Sequence, residues 1–404
     1  MSSAETQARY RIICWSLWST LAACTFEAPA PFPVPITSPI TTTPFAPIVD
    51  SGEQKLFEQP GEMVVYHGFA CAESKESDRQ NFVRVQQSRA LEERLDRATV
   101  FLSGWQFRYL NGDHEIAGLG TGIFRIRREG NELRWEAWGA ITDNNFDDPY
   151  RWCYRYTVVA WNRATYPADP DHRDVHLFQG DEGSEWQTAL SYHANYTTTV
   201  YYVTPNSAIL PRGFGVAWRG GDNNLLQVAY NLDYSENFIA FDKRYGQDTP
   251  NLGGADQAAP TFRSWETKTV LKDNALTRDY VMAEAVSVIS SLRGGLVQPP
   301  FSVVPVEDRA NCVSLGDPSS ETRTIEWLPF DVAVPILTGW DLSYFCNDQH
   351  VEEIGVWIDG FQYAPSGRRG TLEYTLRSIL RDDDGGDGNV FRHRVSVLGF
   401  DRAP

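Results

Sequence analysis

The stretch LSGWQFRYLNGDHEI at residues 102–116 decides the fold, because the chain carries it more than once. The stretch LTGWDLSYFCNDQHV at residues 337–351 aligns with it without a gap, and the alignment continues to Ile123 and Ile358 with seven identities over 22 positions. A weaker middle copy, RGFGVAWRGGDNNL, lies at residues 212–225. Internal repetition of this kind fixes the architecture before any other pattern. A residue shared by all copies is expected to serve the fold, and a residue unique to one copy is freer to serve function.

The repeated unit is predicted to be a β-hairpin. Large apolar residues alternate with other residues in Gly-Trp-x-Phe-x-Tyr, which is typical of a half-buried strand. The following Asn-Gly-Asp at residues 111–113 favours a turn, because Gly reaches positive φ freely and Asn and Asp tolerate it. The outer copies match again between residues 133–161 and 372–400, where both patterns indicate a strand, an acidic loop and a second strand.

The predicted fold class is mainly β, with three tandem antiparallel β-sandwich-like modules and one short helix behind an extended, Pro/Thr-rich N-terminal arm. The helix is expected over residues 76–97, where four apolar side chains form a thin stripe. The predicted divisions are a signal-like segment with a lipobox at 1–24, a Pro/Thr-rich spacer at 25–60, and β modules at 61–180, 181–295 and 296–404.

The composition excludes some classes of protein. The 404 residues carry a formal net charge of −17, and 42% of them are hydrophobic and 13% aromatic. This hydrophobic content is enough for sizeable cores, so the chain as a whole is not expected to be disordered. An acidic surface repels polyanions, and the sequence has no basic stripe. Nucleic acid is therefore not expected as a partner.

The N-terminal segment resembles that of an exported bacterial lipoprotein. Arg9 and Arg11 precede an apolar run at residues 12–23 that is too short to span a bilayer as a helix. Leu-Ala-Ala-Cys at residues 21–24 resembles a lipobox, in which the thiol of Cys24 is lipidated, and a Pro/Thr-rich tether follows. We therefore expect an exported protein at the cell surface or outer membrane, facing outward and attached through a lipid anchor only. The alternative is an N-terminal arm that is not cleaved and packs against a partner.

Four of the six cysteines lie beyond this segment. The economical pairing keeps each bridge within one outer module and joins Cys71 to Cys153 and Cys312 to Cys346. It is one of the three pairings that four cysteines allow, and it requires an oxidising compartment. The alternative is a set of buried, reduced cysteines.

Residues 169–176, DPDHRDVH, form the cluster that most resembles a metal site. An extended backbone would place Asp174, His176 and His172 on one side of the segment, and Asp169 belongs to the same cluster. A His with carboxylates is a suitable site for a divalent metal. The alternative is a solvated polar loop between the first two modules.

A second cluster combines Asp382, Asp384 and Asp387 with glycines. Clustered carboxylates suit calcium, which takes six to eight oxygen ligands, although the spacing does not match an EF-hand loop. Asp143 and Asp148 stand at matching positions in the first module. Their recurrence predicts either two similar calcium sites or only a shared type of hairpin loop, and calcium is the one cofactor that the sequence suggests.

His114 occurs in the first copy of the repeat only, whereas the neighbouring Asp113 has counterparts in Asp222 and Asp348. A residue that recurs in every copy is better explained by an Asx-type turn than by catalysis. The aspartates are therefore assigned a structural role.

Thirteen Trp and eighteen Tyr leave room for a carbohydrate-binding platform. Trp105 and Trp340 occupy repeated strand positions, so we expect them in the core. A platform would draw on tryptophans that the repeat does not fix in this way, namely Trp135, Trp138, Trp161, Trp186 and Trp357.

No sequence motif for a nucleophile elbow, a phosphate loop, a zinc protease or a haem site is present. The leading functional hypothesis is a non-enzymatic, surface-exposed structural or adhesive protein that contacts other protein subunits in a larger extracellular assembly. The first alternative is a cell-surface protein that binds surface glycans. The second is a metal-dependent hydrolase that uses the cluster at residues 169–176.

Overall fold

The structure is a computed structural model. It describes residues 44–74, 83–143, 148–171, 197–203, 207–218, 224–239, 262–273, 280–291, 297–302, 306–309, 319–344, 349–366, 369–382 and 389–402. All of them belong to one compact unit, Phe32–Pro404. Their strands are β1 (Asp50–Gln59), β2 (Met63–Glu73), β3 (Val83–Ala90), β4 (Arg97–Tyr109), β5 (Gly118–Glu129), β6 (Glu132–Thr142), β7 (Tyr150–Trp161), β8 (Ala168–Asp171), β9 (Thr197–Val203), β10 (Ser207–Trp218), β11 (Gln227–Ile239), β12 (Phe262–Lys272), β13 (Tyr280–Ser291), β14 (Val297–Ser302), β15 (Val306–Arg309), β16 (Ser319–Leu328), β17 (Val332–Tyr344), β18 (Glu353–Ser366), β19 (Arg369–Arg381) and β20 (Asn389–Phe400).

The prediction of a mainly β fold is confirmed, and the described residues contain no helix. The strands form three sheets. Sheet A has the order β1-β2-β7-β4-β18-β19-β16, and sheet B has the order β3-β6-β5-β10-β13-β8. Sheet C has the order β14-β20-β17-β11-β12-β9, and β15 also pairs with β20.

The three copies of the repeat build these sheets jointly. Each copy contains four strands: β4–β7, β10–β13 or β17–β20. In every copy the first and last strands lie in one sheet, and the middle two lie in another. Antiparallel pairs join the copies at β4–β18, β5–β10 and β11–β17. Each sheet therefore draws on two copies and the arrangement closes on itself. The predicted module boundaries divide the chain along its sequence. Each sheet, by contrast, contains strands from two copies of the repeat.

One aromatic residue from each copy lies where the three sheets face one another. The ring centroids of Trp105 and Trp340 are 5.1 Å apart, and those of Phe214 lie 5.1 Å from Trp105 and 4.9 Å from Trp340. All three residues are at most 5% exposed. The expectation that Trp105 and Trp340 belong to the core is confirmed.

A β-bulge precedes this aromatic residue in each copy. The register shifts between Leu102 and Gly104, and equivalent shifts occur at Pro211/Gly213 and Leu337/Gly339. A bulge bends a strand and increases its twist. The bends lie in β4, β10 and β17, which face one another. They allow the three sheets to close around one core.

The helix predicted over residues 76–97 is wrong for the residues that the structure describes. Residues 83–90 form β3, which pairs antiparallel with β6, and β4 begins at Arg97. Val83 and Val85 are buried while Gln86 and Ser88 are exposed, which is the period of a strand. The short apolar stripe was compatible with either period. Residues 83–90 form a strand because β6, which is distant in sequence, offers an edge with which they can pair.

Candidate functional site

Loops from the three copies meet at one end of the sheets. His114 and Val351 exchange backbone hydrogen bonds, with N···O distances of 3.1 and 2.9 Å. Leu225 and Gln349 do the same at 2.8 and 2.9 Å. The loop that follows β4 is therefore fixed against the third copy, and the third copy against the second.

The imidazole of His114 lies in a polar cluster at this end. Its Nδ1 is 2.9 Å from Oδ2 of Asp148, and its Nε2 is 3.3 Å from Oδ1 of Asn111. Nδ2 of Asn111 donates a hydrogen bond of 2.8 Å to the other carboxylate oxygen of Asp148. The imidazole ring packs against Tyr109, with centroids 4.6 Å apart. The histidine is thus held between an amide, a carboxylate and an aromatic ring.

Asp143 completes the cluster. One donor atom from each of His114, Asp143 and Asp148 can be chosen so that all three lie within 4.8 Å of one another. Asp143 is 4% exposed. Burial alone would raise the pKa of Asp148, but hydrogen bonds with Asp143 and Asn111 and the charge of His114 outweigh it, so that this pKa is lowered. We call these three residues the His114 cluster.

The other copies contain only part of this cluster. The residue that follows β6, β12 and β19 is an aspartate in each case, and Asp143, Asp273 and Asp382 are all at most 5% exposed. A buried aspartate at this point therefore belongs to the common fold. The position of His114 is occupied by Gln349 in the third copy. The imidazole is what distinguishes the first copy.

Of the first predicted metal cluster the structure describes only Asp169. Asp169 lies in β8, where its carboxylate pairs with Nε of Arg97 at 2.5 Å and with a terminal nitrogen of Arg163 at 3.1 Å. Two guanidinium groups already compensate this carboxylate. Asp174 and His176 lie outside the described residues.

The predicted calcium cluster is described only at its first residue. Asp382 is buried directly after β19, while Asp384 and Asp387 lie outside the described residues. The two calcium sites proposed from the sequence therefore remain predictions. What the structure adds is the histidine beside the matching aspartates of the first copy.

The predicted disulfide between Cys71 and Cys153 is confirmed. The two residues are direct cross-strand partners in β2 and β7, and their Cα atoms are 4.0 Å apart. The second predicted pair, Cys312 and Cys346, lies outside the described residues, as does the predicted lipidation site Cys24.

The tryptophans proposed for a glycan platform are in the core wherever they are described. Trp135, Trp138, Trp161 and Trp357 are at most 4% exposed, and Trp186 lies outside the described residues. Trp135 and Trp138 lie three positions apart in β6, so they point to opposite faces of the sheet, and both faces are covered there.

Trp327 is a surface residue that the sequence patterns do not predict. It is 67% exposed near the end of β16, the outermost strand of sheet A. A register shift lies between Ile325 and Leu328, and the φ of Trp327 is +67°. A bulky residue in the left-handed region is strained, and such strain often marks a functional site. The guanidinium of Arg369 lies 4.9 Å from the centroid of the indole. The sequence signal that points to it is a single Trp near the end of an otherwise mostly polar strand.

Among the described residues there is no helix with the length and apolarity needed to cross a bilayer. Comparison of the chain with protein-family models, with curated proteins and with solved structures gave no match.

Proposed function

We propose that the protein is a non-enzymatic structural subunit of an extracellular assembly and contacts a neighbouring protein through β16. The observation that carries this proposal is the exposed indole of Trp327, which a bulge and a left-handed backbone turn outward from an edge strand. Tryptophan and arginine are the residues most enriched among those that dominate protein–protein binding energy. Here Trp327 and Arg369 form such a pair on one edge of the molecule.

The strand itself supports an interface at this edge. β16 pairs with β19 on one side, and no other described strand pairs with its other side. An unpaired strand edge offers backbone donors and acceptors to a neighbour. The exposed residues of β16 include Arg323 and Glu326. The charges of these side chains, together with the register of strand pairing, would therefore determine which protein binds at this edge.

Export and anchoring are part of the same proposal. The lipobox-like sequence at Cys24 would place the β region outside the cell behind a Pro/Thr-rich tether. The Cys71–Cys153 bridge supports this, because disulfides persist in oxidising compartments. A tethered, disulfide-bonded scaffold built from one repeated unit suits a structural or adhesive role better than a catalytic one.

The test places a photo-crosslinking amino acid at position 327 of the full chain in its native host. The control carries the same group at position 110, because Leu110 is 49% exposed but lies just beyond the end of β4. We expect crosslinks from position 327 to one protein partner in the cell envelope, and sedimentation of the chain in a complex larger than a monomer. The variant Trp327→Ala should sediment as a monomer.

Two outcomes would overturn the proposal. One is a chain that sediments as a monomer in native extracts and forms no crosslink from position 327. The other is a Trp327→Ala variant that loses binding on a glycan array while its sedimentation stays unchanged. The second outcome would favour the carbohydrate-binding alternative, with Trp327 and Arg369 as its exposed ring and cation.

A further inference from the structure

We propose that His114, Asp143 and Asp148 form a binding site for a divalent transition-metal ion, with Zn²⁺ as the preferred ion. This inference does not rest on the proposed function. It rests on the donor set of the His114 cluster, on its charge, and on its absence from the other copies of the repeat.

The donor set matches the coordination chemistry of zinc. The site offers one imidazole nitrogen and two carboxylates whose donor atoms lie within 4.8 Å of one another. Zinc binds nitrogen and carboxylate oxygen at about 2.0–2.2 Å, which places tetrahedral ligands about 3.4 Å apart. Shifts of about 1 Å would therefore bring the three donors onto one ion. Imidazole favours zinc and other transition metals, whereas calcium takes oxygen ligands alone.

The charge of the cluster calls for a cation. Carboxylate oxygens of Asp143 and Asp148 lie within 4.8 Å of each other, and one imidazole faces them. Two carboxylates in contact cannot both be ionised at low cost unless a positive charge lies beside them. Asp143 is 4% exposed, so water compensates it poorly. A divalent ion would match the two negative charges.

Neighbouring side chains already orient the ligands. Asn111 holds the carboxylate of Asp148 through its Nδ2 and lies 3.3 Å from Nε2 of His114 through its Oδ1. In this arrangement Nε2 donates to Oδ1 of Asn111, and Nδ1 faces the carboxylate of Asp148, where an ion would take the place of the proton between them. Partners of this kind are typical of metal-binding histidines, whose second ring nitrogen is fixed by a hydrogen bond. Tyr109 restricts the ring from one face.

The third copy of the repeat provides an internal control. It retains the buried aspartate as Asp382 but carries Gln349 in place of the histidine. If the aspartate alone made the site, both copies would bind. A site that depends on the imidazole binds in the first copy only. A bound ion would join the loop after β4 to the segment between β6 and β7, beside the backbone bridge to Val351.

The experiment titrates the full chain with Zn²⁺, Mn²⁺ and Ca²⁺ by isothermal titration calorimetry and follows Co²⁺ binding by visible absorption. The variant His114→Gln introduces the residue of the third copy. The control His350→Gln alters a histidine of the same region whose imidazole lies 3.7 Å from Asp113 and 3.9 Å from Glu115. Each measurement is repeated in a His176→Gln background, because the cluster at residues 169–176 offers the same kinds of ligand.

Mutation of an outer-shell partner typically weakens metal binding by about 10- to 100-fold. We expect one Zn²⁺ site that His114→Gln weakens by at least that much, because it removes a ligand, together with loss of the Co²⁺ absorption. The control should retain both. Thermal unfolding without metal shows whether each variant is folded. If His114→Gln does not fold, Asp148→Asn removes another proposed ligand and serves as the second test. Equal Zn²⁺ affinity and stoichiometry in the folded His114→Gln variant would overturn the proposal. Preference for Ca²⁺ over Zn²⁺, unchanged by His114→Gln, would overturn it as well.

Discussion

The indole of Trp105 lies 5.1 Å from that of Trp340, centroid to centroid, with the ring planes 65° apart. The two residues occupy the same position in the first and third copies of the repeat, and Phe214 of the second copy closes the triangle. Tilted and edge-to-face contacts of this kind add to the stabilisation that burial provides. The repeat therefore does more than duplicate a unit, because each copy contributes one ring to a core that none could form by itself.

Truncation of one ring should destabilise the whole unit. We expect Trp105→Ala to lower the free energy of unfolding by about 3–5 kcal/mol, as is usual for the loss of a fully buried aromatic side chain. Urea unfolding followed by circular dichroism measures the change. Trp327→Ala is the matched control, and its effect should stay within about 0.5 kcal/mol because that indole is 67% exposed. Equal effects of the two substitutions would mean that the triangle is not the core of the unit.

A second prediction concerns the bulge that brings Trp105 inward. A Cβ on Gly104 would lie 2.2 Å from the Cβ of Trp357, and the φ of Gly104 is +156°. Gly104→Ala should therefore cost about 3 kcal/mol or more, at the upper end of the range for overpacking. Gly360 follows a bulge in β18 but has open space around it. Gly360→Ala should change the unfolding free energy by less than about 0.5 kcal/mol, and a similar loss in both variants would contradict the steric explanation.

The sequence predicted the strands of the repeat but not their partners. Alternation around Trp105 and Trp340 reports which face of a strand is buried, and both faces were assigned correctly. The alternation within one strand does not show which other strand pairs with it. The predicted hairpin is therefore wrong: β4 and β5 do not pair with each other but lie in different sheets, where β4 pairs with β18 and β5 with β10.

The candidate metal site shows the same limit. The sequence shows that His114 is unique to one copy and that Asp143 and Asp148 belong to a recurring acidic loop. Their proximity depends on the pairing of β4 with β7 and of β5 with β6, which local pattern cannot specify. Trp327 was missed for a related reason, since its exposure results from an irregularity in an edge strand.

The disulfide gives a third prediction. Cys71 and Cys153 are separated by 82 positions, and closing a loop of that size restricts the unfolded chain. Replacing both residues by Ser should lower the unfolding free energy by about 2–5 kcal/mol. The measurement is urea unfolding of the double variant beside the oxidised parent. No change in the midpoint would contradict the prediction.

Reduction of the double variant then tests the other predicted pair. If Cys312 and Cys346 form a bridge, dithiothreitol should lower the urea midpoint further in the variant that lacks Cys71 and Cys153. If they do not, the reductant should have no effect. Peptide mapping under non-reducing conditions identifies the bridged pair directly.

Two buried histidines should make stability depend on pH. Burial lowers the pKa of His67 to about 4, although the hydrogen bond to the Ile358 carbonyl opposes the shift. Nε2 donates to that carbonyl at 3.0 Å, so Nδ1 accepts from the hydroxyl of Thr157 at 3.1 Å. Burial likewise lowers the pKa of His393 to about 4. Both imidazoles are therefore neutral in the folded protein down to this pH.

The sign of the effect follows from the difference in bound protons. Above about pH 6.5 each histidine is neutral whether the chain is folded or unfolded, and it contributes no slope. Between about pH 6.5 and pH 4 only the unfolded chain takes up the proton, so stability falls as the pH falls, by at most about 1.4 kcal/mol per pH unit for each histidine. Below about pH 4 the folded protein is protonated as well, and the contribution stops growing.

Urea unfolding at intervals between pH 7 and pH 4 measures this slope. We expect His67→Gln to be less stable than the parent at pH 7, because it loses a fitted imidazole, but to lose stability less steeply with acid. His350→Gln, which replaces a histidine whose side chain is 45% exposed, is the control for the substitution itself. The comparison of slopes separates protonation from packing, since a packing defect shifts the whole curve and leaves its steepness unchanged. A His67→Gln curve parallel to that of the parent would show that His67 does not resist protonation in the folded state.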